Sequence, residues 1–392
     1  MNPLTWNDVH TRRTARHGLT APVSGARSAA GAVGAVTAAG VVRAMCGAHA
    51  QVMSAAELSV ALRLPGTTRA DVRTALWQDR ELVKTFGPRG TVHLLPACDL
   101  PTWSAALGAV PWVNPFPVGV RLTGTQTEDV VAAIGDALAD AALTVDELTD
   151  AVVARTGPWA GDLVMPAFQT MWPRWRQVTS RAAHRGALCF GPDRERKVTY
   201  TSPRTWVPER GTVESRTALA QLVRWYLHAY GPATPEHFAR WLDAPRPWAA
   251  RLFADLPDEL EQVDVEGALG WVVAGDTAPA DAAPSGVRLL PYFDAYQVGS
   301  HPREQVFPGR AGERALTRGQ AGNYPVLLID GVVAGVWHVR RSGRRLAVTV
   351  EPLEPLSARH REQLDDEVER VGVILEASPT LTVGPVAVGP HA

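Results

Sequence analysis

One pattern, helices followed by two short β-prone runs around a polar turn, occurs three times along the chain and constrains its fold. In the first copy, the runs 82–86 and 91–95 flank the turn Gly87-Pro88-Arg89-Gly90, which predicts a β-hairpin. Helices are predicted before this hairpin: one ends at about Cys46, a second is capped by Ser54, and a third covers about 69–80.

The second and third copies carry clearer helix signals. Thr144 and Glu147 have the spacing of a capping box, and a hairpin is predicted over 187–190 and 198–200. In the third copy, Thr234 followed by Pro235 predicts an N-cap with proline at the first helical position. Alternating apolar residues over 263–265 and 269–273 predict the third hairpin.

Three helices and a hairpin are typical of the winged helix, a helix-turn-helix variant whose third helix enters a DNA groove. We therefore predict an α+β protein with three tandem winged-helix units, over residues 1–118, 119–212 and 213–285. A linker over 277–285 leads to a C-terminal β-rich region, 286–392, with strands at 326–329, 332–337 and 346–350. Three units in series favour DNA contact over a purely structural role, which remains the alternative.

The positive charge is clustered rather than spread over the whole chain. The 39 basic and 40 acidic residues exclude a protein that is basic all over, but they allow one basic face. Arg174 and Arg176 lie in one arginine-rich segment, and Arg340 and Arg341 lie in another. The guanidinium fork fits phosphate oxygens, so these four are candidate DNA contacts; an ordinary surface ion pair is the alternative for each.

The cysteines and the missing motifs exclude several classes of protein. Cys46, Cys98 and Cys189 are far apart and odd in number, so we expect a cytoplasmic protein without a metal or a disulfide framework. The run 29–42 is too rich in alanine and glycine for an export signal, and no stretch suits a membrane span. Motifs of serine hydrolases, phosphate-binding loops and zinc proteases are absent, so we expect no cofactor. We also expect a monomer.

The segment 46–53 holds the residues most suited to chemistry. Gly47 is predicted to close one helix and Ser54 to open the next, which leaves His49 and Gln51 in a non-helical stretch. Side chains two positions apart in an extended chain point the same way, so we predict that the two lie side by side. From the residues alone, a structural role in packing two helices is the simpler interpretation of this pair.

Five motifs resemble the AlkZ/YcaQ family of bacterial DNA glycosylases, which are built from tandem winged helices. They are CGAHAQ at 46–51, LVKTFGPRGTVHLL at 82–95, GALCFG at 186–191, YGPATP at 230–235 and LLPYFDAY at 289–296. The first stands at the place of the family's catalytic Gln-x-Gln or Gln-x-Asp, with His49 in place of the first glutamine. His-x-Gln is similar to the AlkZ-like branch that protects antibiotic producers from their own genotoxins.

The resemblance implies a monofunctional glycosylase that hydrolyses the N-glycosidic bond of N7-alkylated purines in double-stranded DNA, including bulky guanine adducts and crosslinks. It also implies a C-shaped molecule around a basic DNA channel. The alkylated base is positively charged and departs readily, so the enzyme stabilises an oxocarbenium-like sugar and delivers water. Gln51 would hold that water, and His49 would either orient it or accept its proton. No lysine is expected near the pair, which argues against a Schiff-base lyase step.

Two further groups of residues are candidates for the site. Arg89, Thr91 and His93 alternate onto one face near the first hairpin and are candidate DNA contacts, although Arg89 in the turn could instead cap carbonyl groups. Asp294 and Tyr296, in the motif at 289–296, are candidate supporting or substrate-contacting residues. A buried structural Asp–Tyr network is the alternative for these two.

Two other functions stay open at this point. A non-catalytic winged-helix regulator would show tight sequence preference in undamaged duplex and leave no abasic product. A winged-helix scaffold would bind mainly protein. The identity of the adduct, and whether the base is flipped out, depend on pocket shape rather than on composition.

Overall fold

The computed structural model of the protein describes residues 4–20, 36–167, 170–208, 211–278 and 286–390. Within these ranges the chain mixes helices and strands, as predicted. Most of the predicted linker, 279–285, and the first half of the run 29–42 lie outside the described residues. None of the helices in these ranges has the length and apolar character needed to cross a membrane.

The first group of elements contains the predicted hairpin and one strand that the sequence did not indicate. Its helices and strands are α1 (Trp6–Arg16), α2 (Ala38–Ala44), β1 (Ala48–His49), α3 (Met53–Ala61), α4 (Arg69–Trp77), β2 (Leu82–Phe86), β3 (Val92–Pro96) and α5 (Leu100–Ala109). The hairpin β2–β3 is confirmed, with Phe86 opposite Val92. The short strand β1 adds to its other edge, so the sheet order is β1-β3-β2.

One predicted helix start in this group is wrong. Helix α3 begins at Met53, and its N-cap is Val52, which makes no side-chain cap hydrogen bond. Ser54 is therefore the second residue of the helix rather than its cap. The helix therefore begins two residues earlier than the sequence indicated.

The second group repeats the pattern with an additional hairpin. Its elements are α6 (Gly124–Leu138), β4 (Ala142–Thr144), α7 (Val145–Thr156), β5 (Leu163–Ala167), β6 (Thr170–Pro173), α8 (Thr179–His184), β7 (Cys189–Arg194) and β8 (Lys197–Thr201). The capping box of α7 is confirmed, because Thr144 and Glu147 bond each other's backbone amides. The pair β5–β6 was missed, since prolines and short runs hid its alternation.

The third group is the simplest. It contains α9 (Ser215–Tyr230), α10 (Pro235–Leu242), α11 (Arg246–Ala254), β9 (Leu260–Val265) and β10 (Ala268–Val273). The predicted N-cap Thr234 is confirmed, with Pro235 at the first helical position. The strands β9 and β10 form the predicted hairpin.

The C-terminal group is a five-stranded sheet with helices around it. Its elements are β11 (Val287–Leu290), α12 (Ala295–Gly299), α13 (Arg303–Val306), α14 (Arg310–Ala315), β12 (Val326–Ile329), β13 (Val332–Ser342), β14 (Arg345–Pro352), α15 (Ala358–Ile374) and β15 (Ser378–Val383). The three predicted strands are confirmed as β12, β13 and β14. Sheet order follows chain order, and β15 runs parallel to β14 because α15 carries the chain back across the sheet.

The hydrophobic core joins groups that are distant in sequence. Apolar residues of α3 and β2, such as Leu58 and Leu82, share one cluster with Val348 of the C-terminal sheet. The other side of β2 and β3, with Val83, belongs to a cluster centred on Tyr226 of the third group. The second group has a cluster of its own. The first group therefore packs between the third group and the C-terminal sheet. Both clusters include residues of the segment that carries His49 and Gln51.

Candidate active site

A tight turn at Cys46 and Gly47 places the segment 48–51 at the edge of the first sheet. Cys46 and Gly47 both have positive φ, 56° and 94°, and the Gly47 amide donates to the Val42 carbonyl (2.9 Å), which ends α2. A β-carbon on Gly47 would lie 3.1 Å from the Leu95 side chain, so glycine also suits the close approach to β3. Strand β1 follows, with His49 opposite His93, and the Ala50 amide donates to the Val92 carbonyl (2.7 Å).

The three-stranded sheet has two unlike faces. Opposite residues in antiparallel strands share a face, and successive residues alternate. One face, which we call the sealed face, carries His49, His93 and Thr85; the last two are buried. The other, which we call the open face, carries the rows that alternate with these, and part of it borders a cavity. Its residues at that cavity are Ala50, Lys84, Phe86 and Val92.

His49 on the sealed face is half-buried between two aromatic rings. Its ring centroid lies 5.1 Å from that of His93, edge to face, and 4.7 Å from that of Phe293. Its Nδ1 atom is buried and has no hydrogen-bond partner among the described residues. Burial lowers the pKa of His49 to about 4, with a smaller contribution from the Arg89 guanidinium. His49 is therefore a neutral imidazole near pH 7.

Gln51 lies beyond the end of β1, at a bend, and is exposed. It lines a cavity of about 480 Å³, which we call the Gln51 cleft. His49 does not line it. Strand β1 ends at His49 and Gln51 lies at a bend, so the alternation of an extended strand does not extend to residue 51, and the side-by-side placement of the two side chains stays a prediction.

The Gln51 cleft combines cationic and aromatic side chains from the first two groups. Besides the open-face residues, its polar and aromatic lining comprises Thr91, Trp172, Arg176, Thr179, Ser180, Phe190 and Tyr200. The Arg176 guanidinium carbon lies 3.7 Å from the centroid of the Trp172 ring, so the two form a flat cationic surface. Arg176 is the predicted phosphate contact that the structure brings next to Gln51.

Lys84 also lines this cleft, so the expectation that no lysine lies near Gln51 is wrong. The sequence separation of 33 positions hid their common place at one cleft, which arises because β2 and β1 flank β3. Burial lowers the pKa of the Lys84 amine. Its Nζ atom lies 4.8 Å from the centroid of the Phe190 ring, a cation–π contact that holds the amine against the second group.

Arg174 is held away from the cleft. It donates to the Val120 carbonyl (3.2 Å) and pairs with Asp162 (3.0 Å). This is the ion-paired alternative considered for each arginine. Arg340 and Arg341 are exposed at the end of β13; Arg341 donates to the carbonyl groups of Gly343 and Leu375, whereas Arg340 makes no ion pair within the described chain.

The residues near the first hairpin mostly serve the fold. Arg89 has a φ of 59° and donates to the Trp241 carbonyl of the third group (2.8 Å). This is the alternative considered for Arg89, in which it caps a carbonyl group instead of contacting DNA. The Thr91 hydroxyl donates to the Pro88 carbonyl (3.0 Å). His93 is 4 % exposed and its Nδ1 bonds the Thr91 carbonyl (2.9 Å), so the expectation that it contacts DNA is corrected: it lies beneath the surface. A β-carbon on Gly87 would lie 2.7 Å from the His93 ring, so His93 is tightly enclosed.

Asp294 and Tyr296 form the buried network that was the alternative for them. Burial would raise the pKa of Asp294, but the Arg63 guanidinium and hydrogen bonds from Ser59 and the Tyr296 amide lower it below its usual value. Arg63 binds both carboxylate oxygens (2.8 and 2.9 Å). The Tyr296 hydroxyl donates to the Gly331 carbonyl (2.7 Å). Both side chains are fully enclosed, so a direct contact with substrate is corrected to a structural role.

The residue of that motif which does reach the site is Phe293. Its φ is 54°, and it lies directly before the anchored Asp294, so the network fixes the ring that packs on His49. The motif at 289–296 could be recognised from the sequence, but the role of its aromatic residue Phe293 could not. The missing signal was spatial, since 244 positions separate Phe293 from His49. Trp172 was missed for the same reason.

No cluster of three or more histidine, cysteine or acidic side chains that could hold a metal ion occurs among the described residues. The arrangement supplies instead an exposed carboxamide, a flat cationic surface and a neutral imidazole behind the sheet. These groups can bind an anion and orient a neutral nucleophile such as water.

Comparison with known proteins identifies the class. The structure of the Streptomyces sahachiroi DNA glycosylase AlkZ has a TM-score of 0.76 to this chain at 29% sequence identity, covering 97% of this chain and all of that one. The fold is therefore that of a DNA glycosylase. An interstrand DNA cross-link repair glycosylase of Streptomyces sahachiroi is 35% identical over 312 residues, 76% of this chain and 81% of the relative.

The family follows from these matches and from a profile of its sequences. The profile named DNA glycosylase AlkZ-like matches residues 42–373. The chain belongs to the AlkZ-like family of DNA glycosylases, enzymes that act on N-glycosyl bonds in DNA repair. The resemblance stated from the motifs is confirmed.

Proposed function

We propose that this enzyme is a monofunctional glycosylase for N7-alkylated purines, with bulky guanine adducts or crosslinks as its substrates. The observation that carries the proposal is the position of Gln51, exposed at a cleft that also contains Arg176 and Trp172. The related cross-link repair glycosylase supports a bulky lesion as substrate. In this proposal the three helix-and-hairpin groups act as winged helices that curve around duplex DNA, and the active chain is a monomer.

Gln51 carries the main chemical role in this proposal. The bond between an N7-alkylated purine and its sugar is already weakened by the positive charge on the base, so leaving-group protonation is a minor need. The Gln51 carbonyl oxygen accepts a hydrogen bond from water and orients it toward C1′. Positioning of this kind lowers the entropic barrier to attack on the oxocarbenium-like sugar.

His49 is a positioning residue in this proposal rather than a general base. A base works best when its pKa is close to the working pH, and a pKa of about 4 makes the His49 ring a weak proton acceptor at pH 7. Its neutrality has a separate use, because a charged imidazolium behind the sheet would repel a cationic base. The ring packs against Phe293 and His93 and holds the 48–51 strand in place.

Arg176 is the DNA contact that the site supports best, and Arg340 is a second, more distant one. The flat surface of Trp172 and Arg176 suits a sugar-phosphate segment or the planar part of an adduct. We propose that Arg89, Arg174 and His93 instead hold the groups together. Arg341 contributes less than Arg340, because its guanidinium already donates to two carbonyl groups.

The experiment that tests the function uses a duplex with one N7-alkylated guanine. Incubation with the enzyme is expected to release the modified base, detected by mass spectrometry, and to leave an alkali-labile abasic site. Borohydride is expected to trap no covalent adduct, since Lys84 lies against Phe190. Trapping that a Lys84→Met variant abolishes would show a lyase instead, and no release of base from any N7 adduct would contradict the proposal.

Self-resistance is tested in cells. Expression in a sensitive bacterium is expected to raise survival under an agent that forms bulky N7-guanine adducts or crosslinks. The Gln51→Ala variant, expressed at the same level, is the matched control. Equal survival with both variants would contradict a protective role through excision.

A further inference from the structure

The loop that joins α5 to α6 exposes an unusual amount of apolar surface. Within residues 111–119, Val113 is 78% exposed, Val118 is 84% exposed and Trp112 is 38% exposed. Three prolines and Phe116 lie among them. Contiguous apolar patches on a protein surface mark binding sites rather than chance exposure.

The loop is rigid in spite of its exposure. Pro111, Pro115 and Pro117 restrict its backbone. Two buried amides fix its base, because Asn114 donates to the Gln177 carbonyl oxygen (3.0 Å) and Gln177 donates to the Val120 carbonyl (2.8 Å). A loop held in this way loses little conformational entropy when it binds.

The surface around the loop is cationic. The Arg181 guanidinium carbon lies 5.1 Å from the centroid of the Trp112 ring, and exposed Arg121 donates to the Phe116 carbonyl (2.8 Å). Neither arginine forms an ion pair within the part of the chain that the structure describes. An apolar loop flanked by two guanidinium groups that form no salt bridge within the described chain suits a polyanion with an apolar interior, which is the chemistry of duplex DNA.

The loop is next to the Gln51 cleft. A cavity of about 320 Å³ beneath it is lined by Trp112, Val113 and Arg181. Gly90 and Ser180 line both this cavity and the Gln51 cleft. They are in close contact, since a β-carbon on Gly90 would lie 3.3 Å from Ser180. The contact between Gly90 and Ser180 therefore separates the cavity beneath the loop from the Gln51 cleft.

We propose that residues 111–119 form an apolar finger that inserts into the base stack of duplex DNA beside the damaged nucleotide. This inference rests on the proposed function and adds to it the way the duplex is opened. Apolar wedges of this type unstack neighbouring base pairs and kink the helix, and the prolines restrict the backbone that exposes Val113 and Val118. A second copy of the chain is the other possible occupant, but the guanidinium groups around each loop would repel each other.

The test is a double variant, Val113→Ser with Val118→Ser, and its matched control is Val373→Ser on α15, where the valine is 60% exposed. The probe is a lesion-containing duplex with 2-aminopurine beside the lesion. The wild-type protein and the control are expected to raise its fluorescence. The double variant is expected to leave fluorescence unchanged and to bind about tenfold more weakly, or about 1.4 kcal/mol, with the same urea midpoint.

Equal fluorescence and affinity in the wild type and the double variant would overturn the inference. So would a wild-type mass twice that of the variant, which would make the loop an interface between copies. Base release is measured on the same samples. Fluorescence that responds to the loop without any base release would contradict the proposed function and leave the finger intact.

Discussion

The two faces of the first sheet differ in what they do with polar side chains. The sealed face encloses His93 and half-buries His49 against Phe293, whose position depends on the Arg63–Asp294 pair. The open face borders a cleft that Gln51 and Arg176 both line. His49 and Gln51, which belong to the same motif at 46–51, thus have different surroundings. A motif can therefore locate a site although its members have different roles there.

The largest expected effect is the loss of the ion pair behind the sealed face. In the Arg63→Ala variant the Asp294 carboxylate stays buried without its bidentate partner, which costs about 3 to 5 kcal/mol. Urea unfolding is the measurement, with Arg340→Ala as an exposed control expected to stay within about 0.5 kcal/mol of the wild type. A loss below about 1 kcal/mol for Arg63→Ala would mean that the pair does not support this face.

The second largest effect is expected from acid, which lowers the stability of the fold through its buried histidines. Burial lowers the pKa of His10 to about 4 and that of His17 to about 3, and it lowers that of His93 well below its usual value. Below about pH 6.5 these histidines bind protons in the unfolded chain but stay neutral in the folded protein. The free energy of unfolding therefore decreases as the pH falls below that value. Each histidine contributes up to about 1.4 kcal/mol per pH unit.

Urea titrations at about pH 7 and about pH 5 measure this effect, and the unfolding free energy is expected to be lower at the second pH. His93→Gln removes one titrating group and is expected to reduce the slope. An unfolding free energy that stays constant over this interval would contradict neutral, buried histidines.

Substitution of His49 tests whether its imidazole positions the strand or accepts a proton. His49→Gln keeps a polar side chain of similar reach and is expected to retain single-turnover excision within about tenfold, because a positioning residue can be replaced by a similar one. The pH profile of the two proteins is expected to match above about pH 6. A loss of about a hundredfold or more, with a changed profile, would instead show that the imidazole accepts a proton.

The smallest effect is expected at Arg340. If this exposed guanidinium contacts a phosphate, Arg340→Ala lowers the slope of log affinity against log salt by about one unit. Arg310→Ala is the control, because Arg310 already pairs with Glu354. An unchanged slope for Arg340→Ala would place the C-terminal sheet away from the DNA.

The sequence predicted local structure and family well, but it predicted contacts across the chain poorly. Capping residues such as Thr144 and Thr234 act within one helical turn, so their roles could be derived directly. The motif at 46–51 was found, but the bend at Gln51 ends the alternation from which the pairing of its side chains was predicted. Lys84 reaches the cleft only through sheet order, and Phe293 reaches His49 only through the fold of the whole chain.

In the proposed mechanism, Gln51, in the cleft beside the open face, orients the attacking water. Single-turnover excision from an N7-alkylguanine duplex, measured with saturating enzyme, tests it most directly in wild type and Gln51→Ala. We expect the variant to be slower by at least about a hundredfold, with DNA affinity and urea midpoint unchanged, because only the positioning of water is lost. An unchanged excision rate in Gln51→Ala would contradict the account.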